Sequence, residues 1–210
     1  MKIDEYKAIR ESGQEVLDMI FKYAAENNKQ AIISSAKLLG FRDGKRMVFA
    51  SENDSETLMD FMVFEKSTQN DAAYQRFYRS CPTLDELQQV NMNGILHFYS
   101  SVFEVKSIDH KGYTIVLGDL MDAGREYQLI DIEMSKTVPA GFIIFTRLIP
   151  INDVNMTSGV GFGFNRIDKD KLLSAISLAE FKHRRKLTKT ELFILMHEKN
   201  RQYGVETRTE

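Results

Sequence analysis

The sequence has only one cysteine, Cys81, and this scarcity excludes an internal disulfide and any zinc site built from several thiolates. Its four histidines, His97, His110, His183 and His197, are scattered, and none forms an H-x-x-x-H or H-x-H pair with a nearby carboxylate. The sequence therefore predicts neither a metal site nor a cofactor. Because Cys81 has no adjacent base, we expect a small buried or half-buried thiol rather than a nucleophile.

Long apolar runs are lacking as well, so no segment is long enough to span a bilayer. The first seven residues are charged and lack the apolar core of a signal peptide. We therefore expect a cytoplasmic protein without a membrane partner.

Recognisable catalytic motifs are also missing, and we predict no catalytic residue. Ser158-Gly159 lacks the G-x-S-x-G context of a nucleophile elbow. Around it, the glycines of residues 157–164 are spaced G-x-G-x-G rather than G-x-G-x-x-G, and no lysine follows as in a phosphate-binding loop. We interpret this run as a barrel strand whose glycines mark a bend or a close backbone approach.

Four carboxylates, at positions 119, 122, 131 and 133, are the remaining candidates for an acid/base or metal cluster. Alternation along a strand would put Asp131 and Glu133 on one face. Carboxylates on the outside of a sheet are far commoner than such a cluster, so we favour that interpretation.

The chain is nevertheless long enough, at 210 residues, to bury a sizeable core. Its hydrophobic and charged fractions, 43% and 28%, do not indicate disorder. The net charge of −2 is uneven: residues 166–210 hold 11 Lys+Arg and 7 Asp+Glu, which leaves 17 and 23 for residues 1–165. A basic C-terminal part on an acidic body predicts an acidic partner, a nucleic acid or an internal charge match.

Five short apolar runs lie in the middle of the chain, between turn residues. They predict strands, because they are rich in β-branched and aromatic residues or alternate apolar with polar residues. The runs are residues 101–108, 113–117, 127–132, 142–151 and 154–164. A flat sheet of five short strands cannot bury both of its faces, so the sheet must curl or be covered by helices. We therefore predict an SH3-like or OB-like barrel or a curled antiparallel sheet.

Helical patterns flank this central part on both sides, so we predict an α+β fold with N-terminal helices and a C-terminal helical pair. The predicted helices cover residues 4–28, 29–39, 58–64, 71–80, 83–96, 168–186 and 188–203. Gly40 is expected to end the second helix, Asn53, Asp54 or Ser55 to cap the third, and Thr83 and Thr188 to begin capping boxes. The predicted parts are residues 1–99, 100–165 and 166–210, packed as one compact unit.

Several short stretches in the middle of the chain resemble a set of uncharacterised bacterial proteins, some of which carry a SEC-C zinc-binding motif. The stretches are residues 58–65, 103–105, 116–121, 146–150 and 156–159. The resemblance covers roughly residues 55–164 and implies no established activity. The cysteine-rich SEC-C element is absent here, so no role that depends on it carries over.

Asp119 and Arg147 are the charged residues of interest within those stretches. We expect them to pair across adjacent strands, either as a structural salt bridge or as part of a ligand site. The structural interpretation is favoured, because charged pairs in a barrel usually fix register or satisfy hydrogen bonds.

The run from residue 182 to residue 189 is the only cluster of like charge for which we predict a function. Its cations, Lys182, Arg184, Arg185, Lys186 and Lys189, are candidates for neutralising nucleic-acid phosphates. The run also precedes a capped helix, whose N-terminus favours anions. The alternative, which we favour because the whole chain is acidic, is a solvated loop or an internal match to the acidic body.

Taken together, these patterns favour a non-enzymatic cytoplasmic module that binds a protein partner. Nucleic-acid binding through the barrel and residues 182–189 is the second hypothesis, and an enzyme of unknown type is the third. The sequence does not predict an oligomeric state.

Overall fold

The computed structural model describes residues 3–27, 29–66 and 71–205. The chain folds into two compact units, which divide between His97 and Phe98. Within the described residues, no helix is both long and apolar enough to cross a membrane.

The first unit is helical, apart from one small β-hairpin. Its elements are α1 (Ile3–Asn27), α2 (Lys29–Leu38), β1 (Arg42–Asp43), β2 (Arg46–Met47), α3 (Glu52–Phe64), α4 (Ala73–Arg79) and α5 (Glu86–Leu96). The long helix α1 contacts the other four helices and buries one stripe that includes Ile9, Val16 and Ile20. The predicted apolar helix at residues 58–64 is confirmed within α3, where Phe61 and Val63 are among the buried residues.

Gly13 lies in the middle of α1, where a glycine normally weakens a helix. A Cβ atom there would lie 2.8 Å from Oδ1 of Asn91 on α5. The Asn91 amide donates to the carbonyl of Ile9 at 3.0 Å. The glycine therefore lets α5 approach α1 closely enough for a side chain to bond to the helix backbone.

Helix ends in this unit follow the prediction in one case and depart from it in two. Gly40 has φ +73°, and hydrogen bonds from its own amide to Lys37 and from the next amide to Ala36 close α2 as expected. The predicted caps of α3 are wrong, because that helix already begins at Glu52. The predicted Thr83 capping box is also wrong: Asp85 caps α5, and its partner is Gln88.

Cys81 also departs from expectation, because its side chain is exposed rather than buried or half-buried. Its φ of 54° and the following Pro82 place it in the turn after α4, where the chain runs over the surface.

The second unit is built on a closed barrel, which confirms all five predicted strands. Its elements are β3 (Tyr99–Asp109), β4 (Thr114–Asp119), β5 (Glu126–Ile130), α6 (Ile132–Thr137), β6 (Ile143–Ile151) and β7 (Val154–Phe164). The barrel order is β3-β4-β5-β7-β6, and every pair is antiparallel except β5 with β7. An OB-fold has a helix between its third and fourth strands and pairs its third and fifth strands in parallel. This barrel has both features, so its connectivity is that of the predicted OB-like barrel and not of the SH3-like one.

The barrel interior is apolar and includes a residue of the short helix α6. Phe103, Leu117, Leu129 and Ile144 are fully buried there, and Met134 from α6 packs with them. Inward-facing residues of β3, β4, β5 and β6 therefore form one core.

A bulge interrupts β7, where the glycine-rich run lies. Thr146 pairs with Gly161 and Leu148 with Thr157, so residues 158–160 all face Arg147. Gly159 has φ +99°, a conformation that side chains rarely adopt. The run is therefore a barrel strand, as interpreted from its spacing, and the bulge sets the surroundings of Arg147.

The C-terminal helical pair packs on the outside of this barrel. A 3-10 turn (Arg166–Asp168) leads into α7 (Lys169–His183), and α8 (Lys189–Tyr203) follows. Phe193 of α8 meets the rings of Phe145 and Phe162, with centroids 5.7 and 5.1 Å apart. These contacts fix α8 over β6 and β7, and so place the turn between the two helices.

Candidate interaction surface

The basic run forms the turn between α7 and α8. Arg184 ends α7 in the left-handed conformation, with φ 54°, and Thr188 begins α8 with the predicted capping box. The five predicted cations are all exposed around this one turn. The structure thus brings them together, while their individual contacts differ.

Two of these cations are held by carboxylates of the same helical pair. Arg185 donates two parallel hydrogen bonds of 2.7 Å to Glu191. Lys186 donates to Glu180 at 2.9 Å, and the same carboxylate accepts the Leu187 amide at 3.3 Å. Part of the positive charge is therefore matched locally, within the helical pair.

Glu191 has a second role, because it also closes the capping box at the start of α8. It accepts the backbone amide and the hydroxyl of Thr188 at 2.8 and 2.9 Å. The Arg185 guanidinium, with the Thr188 amide next in importance, lowers the pKa of Glu191 to about 2. The N-terminus of α8 thus already holds an anion, and an external phosphate would compete with it.

A third cation, Lys189, lies over an aromatic ring. Its Nζ is 4.5 Å from the centroid of Phe98, and the guanidinium carbon of Arg147 is 5.5 Å from the same centroid. Cation–π contacts of this kind hold the first turn of α8 against the start of the barrel.

The last two predicted cations, Lys182 and Arg184, are exposed and form no ion pair within the described chain. They follow Phe181 in the chain, whose side chain is 80% exposed, and Leu178 lies one turn earlier at 54% exposed. An open groove of about 620 Å³ at this corner is lined by Glu180, Phe181, Lys182, Arg184, Arg185 and Lys186. The corner therefore combines apolar side chains with positive charge.

The spacing of Leu172, Ile176 and Ala179 in the sequence puts them on one side of α7, and the structure buries Leu172 and Ile176 and half-buries Ala179. The opposite side was missed, although the i, i+3 spacing of Leu178 and Phe181 off the buried stripe is visible in the sequence. We call this side of the helix, residues 170, 171, 174, 178 and 181, the α7 outer face; all five are exposed, as is Ile167 in the 3-10 turn before α7.

Asp119 is a buried acceptor at the end of β4. Its carboxylate accepts the Tyr99 hydroxyl at 2.7 Å, the Ser101 hydroxyl at 2.6 Å, and the amides of Met121 and Asp122 at 2.8 and 3.1 Å. Four donors on one carboxylate satisfy it, which fits a structural role in the turn after β4.

Arg147 lies elsewhere in the barrel, so the expectation that it faces Asp119 across adjacent strands is wrong. β4 and β6 flank β3 on opposite sides and do not neighbour each other. Arg147 is 1% exposed, donates to Ser100 at 3.1 Å and lies 4.8 Å from the Phe193 ring centroid. Its position is that of an internal support beneath α8.

The proposed carboxylate cluster does not form either. Asp131 and Glu133 do not share a strand face, because β5 ends at Ile130; Asp131 caps α6 and Glu133 pairs with Lys136 at 2.6 Å. Among residues 3–27, 29–66 and 71–205, no three His, Cys, Asp or Glu side chains lie where they could hold a metal ion.

The outer surface of β4 and β5 is where many OB-folds bind oligonucleotides or oligosaccharides. Here neither strand contains lysine or arginine, and Glu126 and Gln128 are exposed on β5. The nearest loop pairs Arg125 with Asp122 at 3.3 Å. Lys106, whose side chain lies over Gly118 of β4, is paired with Glu104 at 2.7 Å. The positive charge that reaches this surface from Arg125 and Lys106 is therefore matched by carboxylates, which leaves less of it for binding phosphate.

Comparison with known proteins gives a family but no function. No curated protein and no solved structure matches the chain. The predicted resemblance to bacterial proteins with SEC-C relatives stays a prediction, because these comparisons bear neither on a bacterial origin nor on SEC-C relatives. A family model does match residues 1–210, and the chain accordingly belongs to DUF7986, a family of unknown function.

Proposed function

We propose that this protein is a non-enzymatic protein-interaction module, and that it binds its partner through the α7 outer face. The observation that supports this most is the exposure of Phe181 and Leu178 side by side, at 80% and 54%. A large aromatic side chain held on a helix is the kind of residue that fills a partner's pocket.

The energetics favour such a contact. Full burial of a Phe or Leu side chain contributes about 1.5–3 kcal/mol each, before the entropic costs of association. Lys182 and Arg184 sit at the rim of the same surface, where charges mainly set approach rate and choice of partner. The anchor and its charged rim are both provided by the end of α7.

Nucleic-acid binding is the second candidate, and one observation favours it. Phe181 can stack on a base while Lys182 and Arg184 approach the phosphates beside it. Arg185 and Lys186 would first have to leave Glu191 and Glu180, which reduces the charge available. Fluorescence anisotropy of labelled single-stranded RNA and DNA, with an Arg184→Glu/Arg185→Glu variant alongside, tests this alternative. Salt-sensitive binding that the variant loses would favour nucleic acid over protein.

Site-specific photo-crosslinking tests the leading proposal. A benzophenone amino acid replaces Phe181 in one version of the full chain and Gln128, exposed on the barrel, in a control version. We expect protein adducts from position 181 that position 128 does not give. The adduct partner is then purified, and we expect Phe181→Asp to abolish binding while Gln128→Asp leaves it intact. Equal adducts from both positions, or none from position 181, would reject the proposal.

A further inference from the structure

We propose a second interaction site, in the first unit: the outer edge of β2 and its continuation, residues 46–49, accepts an extended acidic peptide as an added strand. This inference goes beyond the proposed function, which concerns the α7 outer face. It starts from Met47, Val48 and Phe49, which are exposed at 43%, 54% and 41% and form the described chain's only run of consecutive large apolar residues on the surface. We call residues 46–49 the β2 edge.

The backbone of the β2 edge points away from its own hairpin. β1 and β2 pair Arg42 with Met47. The next pair is closed by a hydrogen bond of 3.0 Å from the Val48 amide to the Phe41 carbonyl. Because bonded and non-bonded positions alternate along an antiparallel pair, Met47 directs its amide and carbonyl outward. Neither the Met47 amide nor the Phe49 amide has a hydrogen-bond partner in the described chain, so the β2 edge offers the groups that a further strand pairs with.

The β2 edge is also held in place before any partner binds. The Phe49 ring packs edge-to-face on the ring of Phe41, with centroids 5.6 Å apart, and Phe41 is fully buried. At the other end, the pair of Asp43 with Arg46 closes the hairpin around Gly44, whose φ of +56° suits a glycine. An edge that is already ordered loses less conformational entropy on binding, which favours affinity.

The charge around the β2 edge indicates the chemistry of the peptide. Residues 37–50 hold four Lys+Arg and one Asp, which leaves 13 and 22 for the rest of residues 1–165. Lys45 and Arg46 are exposed and form no ion pair in the described chain, although Asp43 lies opposite Arg46 in the hairpin. A positive patch in an otherwise acidic part of the chain attracts an acidic segment and repels a basic one.

The same observations disfavour two other occupants. A lipid bilayer offers no partner to the outward backbone groups of Met47, and burying such groups unpaired is costly. A second copy of this chain would bring two positively charged edges together, and like charges oppose each other across paired strands. A partner strand of acidic sequence satisfies both the backbone and the charge.

Nuclear magnetic resonance of the isotope-labelled full chain tests the site. The probe is an acetylated hexapeptide that alternates valine with glutamate. One control peptide has lysine in place of glutamate, and a second has every amide of the probe N-methylated. We expect the Met47 and Phe49 amide signals to shift, and hydrogen exchange of the Met47 amide to slow severalfold, with the glutamate peptide alone. Exchange of the Val48 amide, which already donates to Phe41, should change little.

Two variants test the backbone and the charge separately. Met47→Pro removes an outward donor and should weaken binding of the glutamate peptide roughly tenfold. A Val48 amide that stays protected in this variant shows that the hairpin is intact. Lys45→Glu/Arg46→Glu should reverse the preference, so that the lysine peptide binds and the glutamate peptide does not. Tyr78→Asp, at an exposed aromatic position elsewhere in the first unit, is the control and should bind as the wild type does.

Several results would overturn this inference. No shift with any peptide at millimolar concentration, equal shifts with both charged peptides, or binding of the N-methylated peptide would each do so. Met47 signals that move with protein concentration alone would identify a second copy as the occupant instead. Binding to vesicles of phosphatidylcholine and phosphatidylglycerol that Val48→Asp abolishes would identify a membrane instead. None of these results depends on Phe181, so the photo-crosslinking experiment tests the proposed function independently.

Discussion

The phenol of Tyr99 donates a 2.7 Å hydrogen bond to the buried carboxylate of Asp119 and so joins the first residue of β3 to the last residue of β4. The Tyr99 ring also stacks on Tyr127 of β5, with centroids 5.4 Å apart. Three consecutive strands thus meet at one end of the barrel.

Tyr99→Phe removes only the hydroxyl of this junction. Because a hydrogen bond to a charged group contributes about 1.5–3 kcal/mol, we expect a loss of about 2 kcal/mol in the free energy of unfolding. Urea unfolding followed by circular dichroism measures it. Tyr78→Phe is the control, because that ring is 51% exposed, and it should change little. Equal effects of the two variants would show that the junction contributes nothing.

The same tyrosine should make stability depend on alkaline pH. Burial first, and the Asp119 hydrogen bond second, raise the pKa of Tyr99 above its usual value of 10.0. The folded protein therefore keeps a proton that the unfolded chain releases. This contribution is full below about pH 10 and falls as the pH rises further. We expect the difference in unfolding free energy between the wild type and Tyr99→Phe to shrink above that pH; a constant difference would contradict the raised pKa.

Glu191→Gln tests the ion pair in the turn between α7 and α8. The pKa of Glu191 is lowered from 4.5 to about 2, so its charge favours the folded state at neutral pH. That contribution is present above about pH 4.5 and is lost as the pH falls towards 2. Thermal unfolding at neutral pH should show a cost of about 0.5–1 kcal/mol for the variant, because the pair is partly exposed.

Thermal unfolding at acid pH provides the check on that substitution. At about pH 2 and below, the wild type and Glu191→Gln should unfold at nearly the same temperature. Glu198→Gln, on the same helix but outside the capping box, should cost less at every pH. A Glu191→Gln deficit that persists unchanged into acid would mean that the lost contact is not the charge.

Arg147 is the largest side chain among those almost fully buried, and its guanidinium lies against Phe193 and donates to Ser100. Arg147→Ala should cost about 3 kcal/mol or more, because it leaves a cavity and strands polar groups. Arg147→Lys keeps the charge but loses the flat guanidinium, so we expect an intermediate cost. Hydrogen exchange of α8 amides should rise in both variants. Unchanged exchange in α8 would show that Arg147 does not support that helix.

Much of the fold could be predicted from the sequence, because the information is local. Alternation and β-branched residues located five strands, and Gly40 and the Thr188 capping box located helix ends that depend on nearby backbone geometry. The sequence pattern was misleading where two N-cap residues compete. Thr83 and Asp85 are each followed, three residues later, by a side chain that can accept a hydrogen bond from the backbone amide of the cap, and the structure uses Asp85.

The candidate site was predictable only in part. The sequence located the basic run, because its cations are consecutive. Which of these cations form ion pairs depends on the turn between α7 and α8. The turn places Lys186 beside Glu180 and Arg185 beside Glu191. Phe181 was missed because an apolar residue on a helix is usually buried, and only packing shows which side of α7 faces the barrel.

The sequence by itself thus determined the order and kind of most elements, although not the β1–β2 hairpin or α6, and the position of the positive charge. Only the tertiary structure decided the strand order that makes the barrel OB-like, the separation of Asp119 from Arg147 and the exposure of the α7 outer face. Strand neighbours and buried sides are set by contacts between residues far apart in the chain. Such contacts leave no fixed spacing in the sequence.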